Sequence, residues 1–145
     1  MQKIIIYTDG ASRNNQDRDK SEAGAGAYIT DGDGKVLKEC TRYLGIATNN
    51  YAEYEAIILG LESLKKLYGE KKTKELEVEV RMDSELACRQ LNGIYQIKEP
   101  TFWPQFMKIW NMRVAHFPNI KFIHIPREKN KEADRLSNEA IDKRS

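Results

Sequence analysis

A 3.6-residue repeat of apolar side chains (Tyr54, Ile57, Ile58, Leu61, Leu64, Leu67 and Tyr68) marks one long amphipathic helix over residues 50–68. This repeat divides the chain. Before it, the periodicity is that of strands joined by tight turns. After it, strands and helices alternate. Asn50 is placed as the N-cap, with Glu53 three residues later where a capping-box acid belongs. Gly69 follows as the C′ residue.

Residues 3–8 are a dense β-branched run and predict a buried central strand that ends in a turn at Asp9-Gly10. Residues 23–30 predict a second strand. Its small residues imply that a helix or a ligand backbone comes close. Asp31-Gly32-Asp33-Gly34 is a hairpin turn, and residues 35–44 form the third strand. Residues 76–82 alternate with period two and stop at Asp83-Ser84, where Ser84 caps a short helix to Leu91. Pro100, Thr101 and Pro104 open another helix, with Phe106, Ile109, Trp110, Arg113 and Phe117 on its packed side. Tyr95, Trp103 and Trp110 are expected in the core. Residues 120–125 are the fifth strand, and the alternation places His124 within the sheet as a structural histidine. Asn130 begins the last helix, with Ala133, Leu136, Ala140 and Ile141 as its stripe.

The order βββ-α-β-αα-β-α makes this an α/β chain. Three antiparallel strands are followed by parallel ones reached through right-handed crossovers, giving a five-stranded mixed sheet with helices on both faces. The first strand should lie centrally, beside the fourth. The 145 residues suit a single domain spanning 1–145.

A net charge of +2 gives little long-range attraction for nucleic acid, so any basic surface must be local. Cys40 and Cys88 lack a zinc or redox spacing and read as reduced thiols of a cytoplasmic protein. The apolar run at the start is too short for a signal segment or a membrane span. No membrane partner is expected.

Four acids sit at element ends: Asp9, Glu53, Asp83 and Asp134. Singly, each has an ordinary explanation as a turn residue, a cap or a helix-dipole partner. Jointly, they point to one end of the sheet. Four carboxylates gathered without cations would repel and raise one another's pKa values. Hard divalent ions, Mg²⁺ or Mn²⁺, would relieve that repulsion through oxygen ligands.

Tyr7-Thr8-Asp9-Gly10-Ala11-Ser12, Thr48-Asn49-Asn50-Tyr51-Ala52-Glu53, Met82-Asp83-Ser84 and Asn130-Lys131-Glu132-Ala133-Asp134-Arg135-Leu136 resemble the motifs of type 1 ribonuclease H, in the same order and over nearly the whole chain. The compact form without a basic helical insertion is similar to archaeal and some bacterial members. The resemblance implies a ribonuclease H-like fold and a monomeric endonuclease. It would cut the RNA strand of RNA–DNA hybrids with two metal ions, leaving 5′-phosphate and 3′-hydroxyl ends. Asp9, Glu53, Asp83 and Asp134 would be the catalytic metal ligands. Gly10, Ser12, Asn15, Asn49 and Asn50 would contact substrate, and Thr48 would hold a DNA-strand phosphate. The chain departs from the family in its charged 16–22 loop. It also has no histidine in the loop before Asp134, where Arg127 could give electrostatic help instead. A binding module that lost the chemistry, or another nuclease on the same fold, are the competing classes.

Overall fold

The strands are β1 (Lys3–Asn14), β2 (Ser21–Asp31), β3 (Val36–Ile46), β4 (Glu77–Met82) and β5 (Ile120–His124). The helices are α1 (Asn49–Thr73), α2 (Glu85–Leu91), α3 (Trp103–His116) and α4 (Lys131–Lys143). This computed structural model describes residues 1–14 and 21–144. The sheet order is β3-β2-β1-β4-β5. β1 runs antiparallel to β2 and parallel to β4, and β4 runs parallel to β5. The expected mixed sheet, with β1 central beside β4, is therefore present. Its β-branched run is central for a plain reason: Ile4 and Ile6 lose all contact with water.

β1 does not turn at Asp9-Gly10. Its ladder with β2 continues from Asp9↔Gly26 to Asn14↔Ser21, whereas its ladder with β4 stops at Thr8↔Met82. Polar residues that read as a turn instead take backbone partners from a long neighbouring strand. Asp9 thus lies inside a strand, at the corner where β4 ends.

The two faces are covered by different helices. α1 crosses the face of Ile6, Thr8 and Ala27, and α4 crosses the opposite face. Gly26 explains how close α4 comes. A Cβ there would stand 2.5 Å from the Ser137 backbone nitrogen, so only glycine admits the helix. The small residues of β2 accommodate a helix, as expected.

Three local expectations change. The N-cap of α1 is Thr48, not Asn50: the Thr48 hydroxyl accepts from the Tyr51 backbone N–H at 3.2 Å. With the cap moved, Glu53 is no longer in the capping-box position and is available elsewhere. Regular helix stops at Gly69 (φ 82°), as a C′ glycine should, but another turn carries α1 to Thr73.

The aromatic residues also differ. Tyr95, Trp103 and Trp110 are 45%, 53% and 47% exposed, not core. α3 has apolar residues on two sides, and α1 takes the side of Gln105 and Ile109. Periodicity alone could not say which side would be covered. His124 is the last residue of β5, paired with Met82, so it lies within the sheet as expected, with its side chain exposed. No helix among the described residues is long and apolar enough to cross a membrane.

Candidate metal centre

Asp9, Glu53 and Asp83 converge at the corner where β1 outruns β4. One carboxylate oxygen from each lies within 4.8 Å of the other two. Asp9 comes from β1, Asp83 is the first residue past β4, and Glu53 comes from the start of α1. Asp9 and Glu53 are each only 5% exposed. Among the described residues, no lysine or arginine forms an ion pair with any of the three. Arg127 acts on Glu53 only through its field.

Neutral groups hold these acids in place. The Ser137 hydroxyl donates to Asp9 Oδ2 at 2.9 Å. The Gly10 N–H donates to the Glu53 carboxylate, which replaces the expected capping-box role. The Asn130 amide Nδ2 donates to Asp83 Oδ2 at 3.1 Å. Ser137 and Asn130 were not singled out as site residues from the sequence. The signal was present as helical spacing, because Asn130, Asp134 and Ser137 recur at four and three residues and share one face of α4.

Asp134 stands beside this group of three rather than within it. It lies in the first turn of α4 with its side chain 40% exposed. Its Oδ1 accepts from Asn138 Nδ2 at 3.4 Å and lies 3.9 Å from Arg127 Nη2. Its charge still raises the Asp9 carboxyl.

The remaining candidates surround the corner unevenly. Gly10 is buried, and its amide is engaged by Glu53. Ser12 Oγ donates to the Ala47 carbonyl at 2.8 Å, tying β1 to the segment before α1. Thr48, Asn49 and Asn50 are exposed at the start of α1, and Arg127 is exposed in the short turn before α4. Asn15 and residues 16–20 lie outside the described residues.

The electrostatics follow from burial without neutralisation. The Asp9 carboxyl is raised from 3.8 to about 7, chiefly by burial, then by the Asp83 charge. Glu53 is raised well above the ordinary range, first by burial, then by Asp9 and Asp83. A divalent cation fits this donor set. All the ligand atoms are hard oxygens, and the charge they carry is not balanced by the protein. Asn130 Oδ1 adds a buried acceptor without a protein partner among the described residues.

This has a consequence for stability. A carboxyl whose folded pKa lies above its unfolded value binds its proton more tightly when folded. Its contribution therefore falls as pH rises from 3.8 towards about 7. Urea unfolding of the metal-free protein should show about 2 kcal/mol less stability from Asp9 at pH 8 than at pH 5.5. A stability that rises over that interval would contradict the assignment.

The strand order and the buried acidic corner together define a ribonuclease H-like domain. A family model described as reverse transcriptase-like matches residues 8–140. Among solved structures, LC11-RNase H1, isolated from compost by a metagenomic approach, is 52% identical with a TM-score of 0.88, over 99% of this chain and 98% of that one. A second structure of LC11-RNase H1 is a complex with an RNA/DNA hybrid. RNase H1 from Halobacterium salinarum is 33% identical with a TM-score of 0.84, over 97% of this chain and 98% of that one. The bifunctional protein Rv2228c of Mycobacterium tuberculosis is 36% identical over 97% of this chain, which spans only 36% of that protein's length. The chain belongs to the type 1 ribonuclease H family.

Proposed function

We propose that this chain is a metal-dependent endonuclease that hydrolyses the RNA strand of RNA–DNA hybrids, leaving 5′-phosphate and 3′-hydroxyl ends. The observation that carries this reading is the unneutralised meeting of buried Asp9 and Glu53 with half-buried Asp83. The hybrid-bound structure of a relative 52% identical to this chain supports the substrate.

In this reading Asp9, Glu53 and Asp83 hold the cation, and Asp134 contributes a fourth carboxylate from α4. Mg²⁺ or Mn²⁺ serves, with two ions present once substrate is bound. Two such ions would supply a Lewis-acid clamp on the attacking and leaving oxygens of an in-line displacement. Asn49 and Asn50 are exposed on the helix end that also carries Glu53. Their amides suit the 2′-hydroxyls of a hybrid minor groove, which can be read without regard to base. Gly10, Ser12 and Asn15 complete the substrate contacts, and Thr48 takes a DNA-strand phosphate. Arg127, beside Asp134, assists with the charge of the scissile phosphate. A monomer in the cytoplasm, formed by one domain, is the expected setting.

Cleavage of matched hybrid, all-RNA and all-DNA duplexes, in Mg²⁺ and in Mn²⁺, tests the proposal. Metal-dependent cutting confined to the RNA strand of the hybrid is expected. Equal cutting of all-DNA duplex would indicate another nuclease. Binding without turnover in either metal would indicate a binding module.

A further inference from the structure

We propose that Asn130 is a positioning residue for the acidic centre, whose amide aims the Asp83 carboxylate and pins the fork between β1 and β4. The inference rests on the functional reading above and adds a residue to it.

Asn130 is 1% exposed. Its Nδ2 has two hydrogens, and both are used. One goes to the Thr8 carbonyl at 2.9 Å and the other to Asp83 Oδ2 at 3.1 Å. Thr8 is the last β1 residue paired with β4, and Asp9 follows it directly. The amide therefore binds the end of one strand's ladder and the carboxylate that leaves the other. Fixing Asp83 Oδ2 fixes the direction in which its second oxygen points. The Asn130 backbone carbonyl also accepts from the Asp134 N–H at 3.1 Å, so the same residue sits where α4 begins.

Asn130 occupies the N-cap of α4 but makes no side-chain cap bond. Asparagine at that position ordinarily caps its helix. Here the side chain is turned to the site instead. A neutral donor is the chemistry the place requires. A lysine would neutralise the carboxylates and compete with a divalent ion, and a carboxylate would repel Asp83. The amide orients an acid and leaves its charge intact.

Two variants separate positioning from a merely structural role. Asn130→Ala removes the amide. Asn130→Ser also removes its reach but supplies a good N-cap, so it should recover part of any thermal stability that alanine loses. The measurements are calorimetric titration of the free protein with Mn²⁺, kcat and KM on a hybrid, and the unfolding midpoint in chelator. Both variants are expected to bind Mn²⁺ roughly 10-fold more weakly, with kcat reduced about 10- to 100-fold and KM changed much less. Serine should restore stability without restoring metal affinity or kcat. Wild-type Mn²⁺ affinity and kcat in Asn130→Ser would overturn the proposal. A wild-type protein that fails to cut hybrids would instead overturn the functional reading, and the Mn²⁺ titration would still judge Asn130.

Discussion

Asp9→Asn is expected to lower hybrid cleavage on the order of 10³-fold or more while making the metal-free protein more stable. The two effects have one origin. Asp9 is buried against Asp83 and Glu53, and its carboxyl is raised to about 7 by burial and the neighbouring charge. At pH 8 the folded chain must hold that charge in an unfavourable place. The amide has nearly the same shape, and its oxygen can still accept from Ser137. Removing the charge should add about 2–4 kcal/mol at pH 8 without metal, or roughly 5–10 °C in Tm. The gain should shrink by about 2 kcal/mol at pH 5.5, where wild-type Asp9 is largely protonated. Activity falls because the amide supplies no negative charge to a cation, and a loss of 10³-fold corresponds to about 4 kcal/mol of transition-state stabilisation. Steady-state cleavage and urea unfolding at both pH values check the pair of effects. A substitution that lowered both activity and metal-free stability would mean that Asp9 is a structural acid.

Gly10→Ala should be the most damaging small substitution in the chain. A Cβ at position 10 would stand 2.3 Å from the Ala52 carbonyl carbon and 2.3 Å from the Glu53 nitrogen. Both are backbone atoms of the first turns of α1, so no side-chain rotation relieves the overlap. Either β1 bends or α1 lifts, at a cost of about 3 kcal/mol or more. The lift would also pull Glu53 from the Gly10 N–H and from Asp9. A displacement of about 1 Å at a reacting centre can lower turnover by ~10²-fold. Gly32→Ala is the control: its Cβ would meet only the flexible Lys3 side chain, at 3.2 Å. Thermal unfolding and hybrid cleavage should therefore separate the two alanines widely. Near-wild-type behaviour of Gly10→Ala would mean that the approach of α1 to β1 does not set the position of Glu53.

Gly10 also shows where reading the sequence runs out. Asp9-Gly10 followed by polar residues has the composition of a turn, yet β2 offers a long partner and the strand continues. Local chemistry cannot reveal that Gly10 pairs with Ala25, fifteen positions along the chain. The same limit explains Glu53. Its spacing from Asn50 fits a capping box, but Thr48 takes the cap and the acid turns to the Gly10 amide. Element order, the central place of β1 and the helix-accepting surface of β2 were legible, because period and side-chain size carry them directly. The inner side of α3 was not: Ile109 and Trp110 are adjacent, and only the position of α1 decides which is buried. In the site, the carboxylates could be named from the sequence, although Asp9, expected at a strand end, lies inside β1. The neutral donors that hold three of them, Gly10, Asn130 and Ser137, depend on how α1 and α4 cross the sheet.

The most direct test is the unfolding temperature of the wild type and of Asp9→Asn at pH 8 as Mg²⁺ is titrated in. If the buried carboxylates share a cation, the wild-type temperature climbs with Mg²⁺ and the Asp9→Asn temperature, higher at the outset, barely moves. Curves that rise equally in both proteins, or in neither, would show that no cation is held between these three acids.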